Sequence, residues 1–198
     1  MKLVGLTGEP GAGKSTFAHV FEKHGVPVFY ADDVAKEILL LPEFQSLARK
    51  RWGQDFFADA ILTIYKKIAD KIFNLSDEYD FVTNFVHRET IRIIKEKIKC
   101  LPEDACFALI EIPLLFETKS DEWMDEVIYI TASLEKRVCQ NVTRHWTKEE
   151  IMRREAKFLD RDTKIAKSSI VLENIGTKEE WENMAEKILE SLEEKFKC

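Results

Sequence analysis

Glycine is scarce in this 198-residue chain, with seven in all, and four of them fall between Gly5 and Gly13. Long apolar runs are missing: none approaches the roughly 18 residues that a membrane-spanning helix requires. Met1-Lys2 leads straight into a short apolar stretch rather than a signal-peptide pattern, so a cytoplasmic protein with no membrane partner is expected. The four cysteines, Cys100, Cys106, Cys139 and Cys198, form no CxxC pair and have no histidine at metal-ligand spacing. That argues against a structural zinc and leads to the expectation of four reduced, packing cysteines. There is no Pro/Gly/Ser-rich linker, no low-complexity tract and no repeat, which leaves one globular unit with room for a small insert. D-x-x-G and N-K-x-D are absent, which removes the guanine-binding signature of a GTPase switch. No LSGGQ-like segment supports a structural ATPase. Net charge is −6, which argues against a general nucleic-acid partner. No motif encodes an oligomeric state.

Apolar residues make up 45% of the chain, enough for a sizeable core. Lys2–Leu6, Val26–Tyr30, Ala105–Ile112, Glu126–Thr131 and Ser169–Leu172 read as short buried strands. Helices are expected over Ser15–His24, Ala31–Leu41, Ser133–His145, Thr147–Leu159 and Thr177–Lys197. Thr147/Glu150 and Thr177/Glu180 have capping-box spacing, and Ser133 is a candidate N-cap. Strands alternating with helices indicate a parallel sheet covered on both faces. Residues 43–101 carry no clear strand, and helices are expected over Glu43–Trp52, Leu62–Phe73 and Asp80–Lys99. The expectation is a core of 1–41, 102–146 and 166–198, a helical substrate-binding insert over 42–101 and a lid over 147–165.

Gly8-Glu9-Pro10-Gly11-Ala12-Gly13-Lys14-Ser15 matches G-x-x-x-x-G-K-[ST] between an expected strand and an expected helix. Each residue type has a chemical reason. Glycines let the backbone turn its N–H groups inward, and the helix that follows aims its first amides at the same point. Gly11, Ala12, Gly13, Lys14, Ser15 and Thr16 are therefore expected to hold the phosphates of ATP. Lys14 supplies a point charge toward the β and γ phosphates, and the Ser15 hydroxyl is placed for Mg²⁺.

Asp32 and Asp33 follow the second strand, at the edge where open α/β sheets bind ligands. A carboxylate there serves either as an N-cap or as the base for an acceptor hydroxyl. Glu111 ends the third strand, where a carboxylate acts on Mg²⁺ through water or simply faces solvent. Asn174 and Gly176 follow the fifth strand, where a turn or an adenine border both fit. Residues 133–167 carry ten Lys/Arg against six Asp/Glu, a local +4. Such a stretch suits either a small polyanion or a solvated helix face.

The segments "VGLTGEPGAGKST", "GVPVFYAD", "EIPLLFE" at 111–117 and "VLENIG" at 171–176 resemble, in order and spacing, the dephospho-coenzyme A kinase family. The resemblance implies a three-layer P-loop kinase with a five-stranded parallel sheet, a helical substrate domain and a lid. It implies transfer of the γ-phosphate of ATP to the ribose 3′-hydroxyl of dephospho-coenzyme A, the last step of coenzyme A synthesis. It makes Asp32 the catalytic base. Along the helical face Arg137-Gln140-Arg144, it makes Arg144 the transition-state cation and Arg137 a contact to ATP. It puts Leu114, Glu117 and His87 beside the substrate, and Arg153 and Arg154 among the lid cations. The chain departs from the family at Tyr30, Gln140, Tyr65 and Arg88, which stand where the family has Asp, Arg, Arg and Pro. The other reading is a P-loop kinase acting on a different nucleoside, nucleotide or small alcohol.

Overall fold

The computed structural model describes residues 1–142, 147–155 and 158–198. Its strands are β1 (Lys2–Gly8), β2 (Val28–Tyr30), β3 (Phe107–Glu111), β4 (Glu126–Thr131) and β5 (Ile170–Glu173). Its helices are α1 (Lys14–Lys23), α2 (Ala31–Ile38), α3 (Pro42–Trp52), α4 (Ile61–Asn74), α5 (Ser76–Lys99), α6 (Leu134–Gln140), α7 (Lys148–Glu155), α8 (Arg161–Ala166) and α9 (Lys178–Phe196). The chain divides into two compact units, Met1–Tyr30 with Cys100–Cys198, and Ala31–Lys99.

The first unit is built on one parallel sheet in the order β2-β3-β1-β4-β5. Strands buried on both faces need apolar side chains throughout, which is why β1, β3 and β4 read as apolar runs rather than alternating ones. Val4 and Leu6 of β1, Leu109 of β3, and Ile128 and Ile130 of β4 point to one face. There they meet Phe17 and Phe21 of α1 and Trp181, Leu189 and Leu192 of α9. Phe17 packs on Phe21 and Trp181 at centroid distances of 5.3 and 5.4 Å. Burying each such side chain contributes about 1.5–3 kcal/mol, so α1 and α9 are fixed chiefly by this face. The Thr177 hydroxyl and Glu180 carboxylate complete the expected capping box at the start of α9, each accepting the other's backbone N–H. Ser133 caps α6 by accepting the Lys136 N–H at 3.2 Å.

In this unit the structure corrects two sequence expectations and adds one helix that the sequence did not suggest. First, α6 stops at Gln140 because Asn141 takes the C-cap and its amide donates to Arg137 O at 2.7 Å. Second, the charged stretch at 160–166 folds as a separate helix, α8. Its Asp160 N-cap accepts the Thr163 N–H at 2.9 Å, a local bond that outweighs the lack of an apolar stripe. Third, Cys106 and Cys198 are disulfide-bonded with Cα atoms 5.5 Å apart, while Cys100 and Cys139 are free and exposed. The bond ties the end of α9 to the residue before β3 across a sequence separation of 92. Such a loop is expected to contribute about 2–5 kcal/mol by restricting the unfolded chain. Urea unfolding of Cys198→Ser beside the oxidised parent should show that loss. Coincident midpoints would mean that the bond carries no stability.

The second unit is helical. Val82, Val86, Thr90, Ile94 and Ile98 form the buried stripe of α5 at four-residue spacing. Both α2 and α4 pack against α5. The buried face of α2, Ala31, Val34 and Ile38, therefore belongs here rather than with the sheet, and the division falls at Ala31 instead of 42. Phe44, Trp52, Phe56, Phe57, Phe81 and Phe85 form an aromatic cluster, with Trp52 on Phe56 at 4.6 Å and Phe44 on Phe85 at 5.5 Å. Burial works against charge on Glu78. Even so, hydrogen bonds from Trp52 Nε1 (2.8 Å) and Arg51 Nε (2.7 Å) hold its carboxyl below the usual range. Among the described residues no helix is long and apolar enough to cross a membrane.

Candidate active site

The segment Gly8–Ser15 bridges β1 and α1, and two of its glycines are dictated by geometry. Gly11 lies at φ +78°, and a Cβ there would collide with the Asn141 amide. Gly13 lies at φ +100°, and a Cβ would come within 2.6 Å of Asn174 Nδ2. Both backbones are in the left-handed region, where a side chain is strained regardless of space. Gly13 is also the N-cap of α1 and has no side chain to cap it. No capping group therefore competes with an anion for the first amides of α1.

The loop carbonyls are held toward the protein. Lys14 Nζ donates to Gly8 O (3.1 Å) and Glu9 O (3.0 Å). Asn174 Nδ2 donates to Ala12 O (2.9 Å), and Trp181 Nε1 donates to Gly13 O (3.1 Å). A loop whose carbonyls are tied back presents its N–H side to a ligand. Asn174, expected at an adenine border or a turn, is 1% exposed and acts as a strut beneath the loop. Gly176 accepts a hydrogen bond from Lys136 Nζ. With Glu173, Ile175, Trp181 and Met184 it lines a cavity of about 600 Å³. Ile175 and Met184 give that cavity exposed apolar surface.

Ser15 Oγ lies 3.5 Å from Glu111 Oε1. Glu111 closes β3 in register with Leu6 of β1 and Tyr30 of β2. The hydroxyl and carboxylate singled out as metal-directed thus meet at the C-terminal edge of the sheet. Thr16 follows in the first turn of α1. Among the described residues no group of three or more His, Cys, Asp or Glu could hold a metal by itself. Mg²⁺ ordinarily takes one or two protein ligands and completes its shell with phosphates and water, so the Ser15–Glu111 pair fits that chemistry.

Glu9, invisible in the sequence because it fills a free position of the motif, is a charged hub in this unit. It is 8% exposed, and its Oε2 accepts from Thr131 Oγ1 (2.7 Å) and the Ala132 N–H (3.2 Å). Arg161 Nε of α8 lies 3.3 Å from Oε1, and Arg137 Nε of α6 lies 3.6 Å from Oε2. Arg137 also pairs with Glu155 of α7. Burial and the Glu9 charge both push the neighbouring Tyr129 phenol up, so it stays neutral.

Glu117, expected beside the substrate, pairs with Lys164 Nζ of α8 at 2.6 Å and accepts the Leu159 N–H at 3.0 Å. Leu114 is partly exposed, and its carbonyl accepts from Thr118 Oγ1 at 2.8 Å. Arg144 lies outside the described residues, as does the side chain of Arg154. Arg153 pairs with Glu150 at 2.7 Å.

In the helical unit, Asp32 is exposed in the first turn of α2, immediately after β2. Asp33 is engaged with Lys36 at 2.7 Å. The Asp32 carboxylate has no hydrogen-bond partner among the described residues. His87 is half-buried on α5, and burial lowers its pKa below the usual 6.5, so its imidazole is neutral at neutral pH.

A parallel five-stranded sheet with this loop between its first strand and helix defines a P-loop kinase. The family model described as dephospho-CoA kinase matches residues 2–180. The chain belongs to the dephospho-CoA kinase family. It is 30% identical to a dephospho-CoA kinase of Bdellovibrio bacteriovorus over 98% of both chains. Among solved structures it is similar to TT1252 from Thermus thermophilus, at 28% identity and a TM-score of 0.76, covering 96% of this chain and 97% of that one. A dephospho-CoA kinase from Campylobacter jejuni, at 21% identity and a TM-score of 0.71 over 97% and 98% of the two chains, shares the fold.

Proposed function

We propose that this kinase transfers the γ-phosphate of ATP to the ribose 3′-hydroxyl of dephospho-coenzyme A in the cytoplasm, completing coenzyme A. The reading is carried by the family match, which runs through residues 2–180 and so includes the helical unit as well as the generic phosphate loop. Gly11–Thr16 bind the triphosphate, and Lys14 neutralises the β and γ phosphates. The adenine occupies the cavity beside Gly176 and Trp181, where Ile175 and Met184 offer apolar contact. Ser15, and Glu111 through water, hold the Mg²⁺, which offsets phosphate charge when bound. Asp32 orients the acceptor hydroxyl and takes its proton, while His87 and Leu114 border the acceptor. Arg144 and the cations of 147–165, acting as a lid, attend the transferring group.

The test is an acceptor panel with ATP: dephospho-coenzyme A, adenosine, AMP, shikimate and coenzyme A. Phosphorylation of dephospho-coenzyme A at the 3′ position, with coenzyme A itself inert, is the expected result. Turnover of another alcohol with dephospho-coenzyme A untouched would replace this reading with the other P-loop kinase.

A further inference from the structure

We propose that Glu9 is a positioning residue: from within the phosphate loop, its carboxylate fixes the guanidiniums of Arg137 and Arg161 beside the nucleotide phosphates. The proposal rests on the reading of this loop as the ATP site.

A carboxylate is an unexpected neighbour for a triphosphate, since like charges repel. Its surroundings resolve the conflict. Oε2 is fixed from the sheet side by Thr131 Oγ1 and the Ala132 N–H, so the carboxylate cannot swing away. Two arginines from different helices converge on it, Arg137 from α6 and Arg161 from α8. Glu155 of α7 completes a set of two carboxylates and two guanidiniums. The charges balance, so the two buried members, Glu9 and Arg137, are not left as lone charges.

The two arginines are held differently. Arg137 is 6% exposed, and its Nε finds no hydrogen-bond acceptor among the described residues. It sits at ion-pair distance from Glu9 but beyond a hydrogen bond, which leaves a buried donor available next to the loop. The Arg161 side chain is 56% exposed and is steadied by a second bond, Nη2 to Thr131 Oγ1 at 3.2 Å. Neither contact uses Nη1, which can turn to a phosphate while the Glu9 contact is kept. A guanidinium fixed before the nucleotide arrives loses less side-chain freedom when it binds. Glu9 supplies that fixation to both.

The plain alternative is that Glu9 only braces α6 and α8, and the two roles give different measurements. Glu9→Gln keeps the size and the Thr131 and Ala132 contacts but removes the charge. If Glu9 positions the arginines, kcat falls about 10²-fold, the effect of a small misplacement of a catalytic group. ATP affinity, titrated without acceptor, changes little, because one repulsive charge is lost together with the fixation. Arg161→Met lowers ATP affinity about tenfold and leaves adenosine affinity unchanged, with Arg161→Lys recovering part of it. Compared in kcat alone, the Glu9→Gln/Arg161→Met double variant falls short of the product of the two single kcat losses, because Glu9 acts partly through Arg161.

Parent-like kcat in Glu9→Gln, or losses that multiply in the double variant, overturns the proposal. So does an equal fall in ATP and adenosine affinity in Arg161→Met, since a brace moves both together. Arg161 is half exposed on a short helix, so its variant stays readable even if Glu9→Gln melts early. The binding arm needs no acceptor. Failure to phosphorylate dephospho-coenzyme A would therefore count against the proposed substrate and leave this inference standing or falling on its own data.

Discussion

Lys14→Met lowers kcat/KM for ATP by about 10²–10³-fold, the loss expected when one fixed charge or donor aimed at transferring phosphate is removed. Lys14 is only 8% exposed. Its ammonium is directed by two carbonyls of its own loop, Gly8 O and Glu9 O. The charge is therefore held at the loop before nucleotide binds and needs little reorganisation. Methionine matches the length of the stem and removes the charge and three donors. It also takes a partner from two carbonyls, a stability cost of about 1–3 kcal/mol if no water replaces it. The two effects separate in one experiment. Thermal unfolding reads the carbonyl cost, and steady-state kinetics at a temperature well below unfolding reads the charge. Lys14→Arg should not rescue, since a planar fork cannot thread the same two carbonyls. Full activity in Lys14→Met with an intact fold would remove Lys14 from the phosphate site.

The sheet was legible because burial on both faces demands apolar runs, and "EVIYIT" matches β4 residue for residue. Element ends were less so. The start of α5 lies at Ser76 rather than Asp80, because the charged turn Asp77-Glu78 is a favourable first helical turn with no apolar face to reveal it. The same blindness hid α8, whose residues "RDTKIA" depend on the Asp160 cap. The placement of α2 needed tertiary information. Val34 and Ile38 form an apolar face that would suit a sheet or a helix equally, and only the packing on α5 decides. The disulfide between Cys106 and Cys198 is a contact across 92 residues, and spacing along the chain carries no record of it.

The phosphate loop was legible for a different reason: its geometry tolerates few residue types. Gly11 and Gly13 sit where a Cβ would strike Asn141 or Asn174, so the glycines are written into the sequence. The pairing of Ser15 with Glu111 followed from strand register, which places both at one sheet edge. Glu9 sits at a position where the motif accepts anything, so its chemistry appears only with Thr131, Arg137 and Arg161 around it. Trp181 lies within the expected last helix, but nothing in a sequence marks an indole N–H aimed at Gly13 O. The ion pair of Glu117 with Lys164 joins residues far apart in the chain, and no spacing in "PLLFE" records it.

Asp32→Asn is expected to lower kcat by about 10²–10⁴-fold with ATP affinity nearly kept, the range for loss of a general base. The sequence left two carboxylates, Asp32 and Asp33, as neighbours in one helical turn. The structure separates them: Asp33 is bonded to Lys36, and that bond leads the effects raising the lysine's pKa. An aspartate oxygen already engaged by an ammonium is less free to orient an incoming hydroxyl. Asp32 is exposed and has no hydrogen-bond partner among the described residues, so it is available to an incoming hydroxyl. Asparagine keeps the size and one acceptor oxygen but cannot take the proton. Orientation of the hydroxyl should therefore survive in part, and kcat should fall further than KM rises. Asp33→Asn is the matched control, and its loss should be within a few-fold, since an exposed i,i+3 pair contributes at most about 1 kcal/mol. Reversal of that order, with Asp33→Asn inactive and Asp32→Asn at the parent rate, would move the base to Asp33. Equal, small effects at both positions would mean that neither aspartate takes the proton, leaving alignment and charge neutralisation to account for the rate.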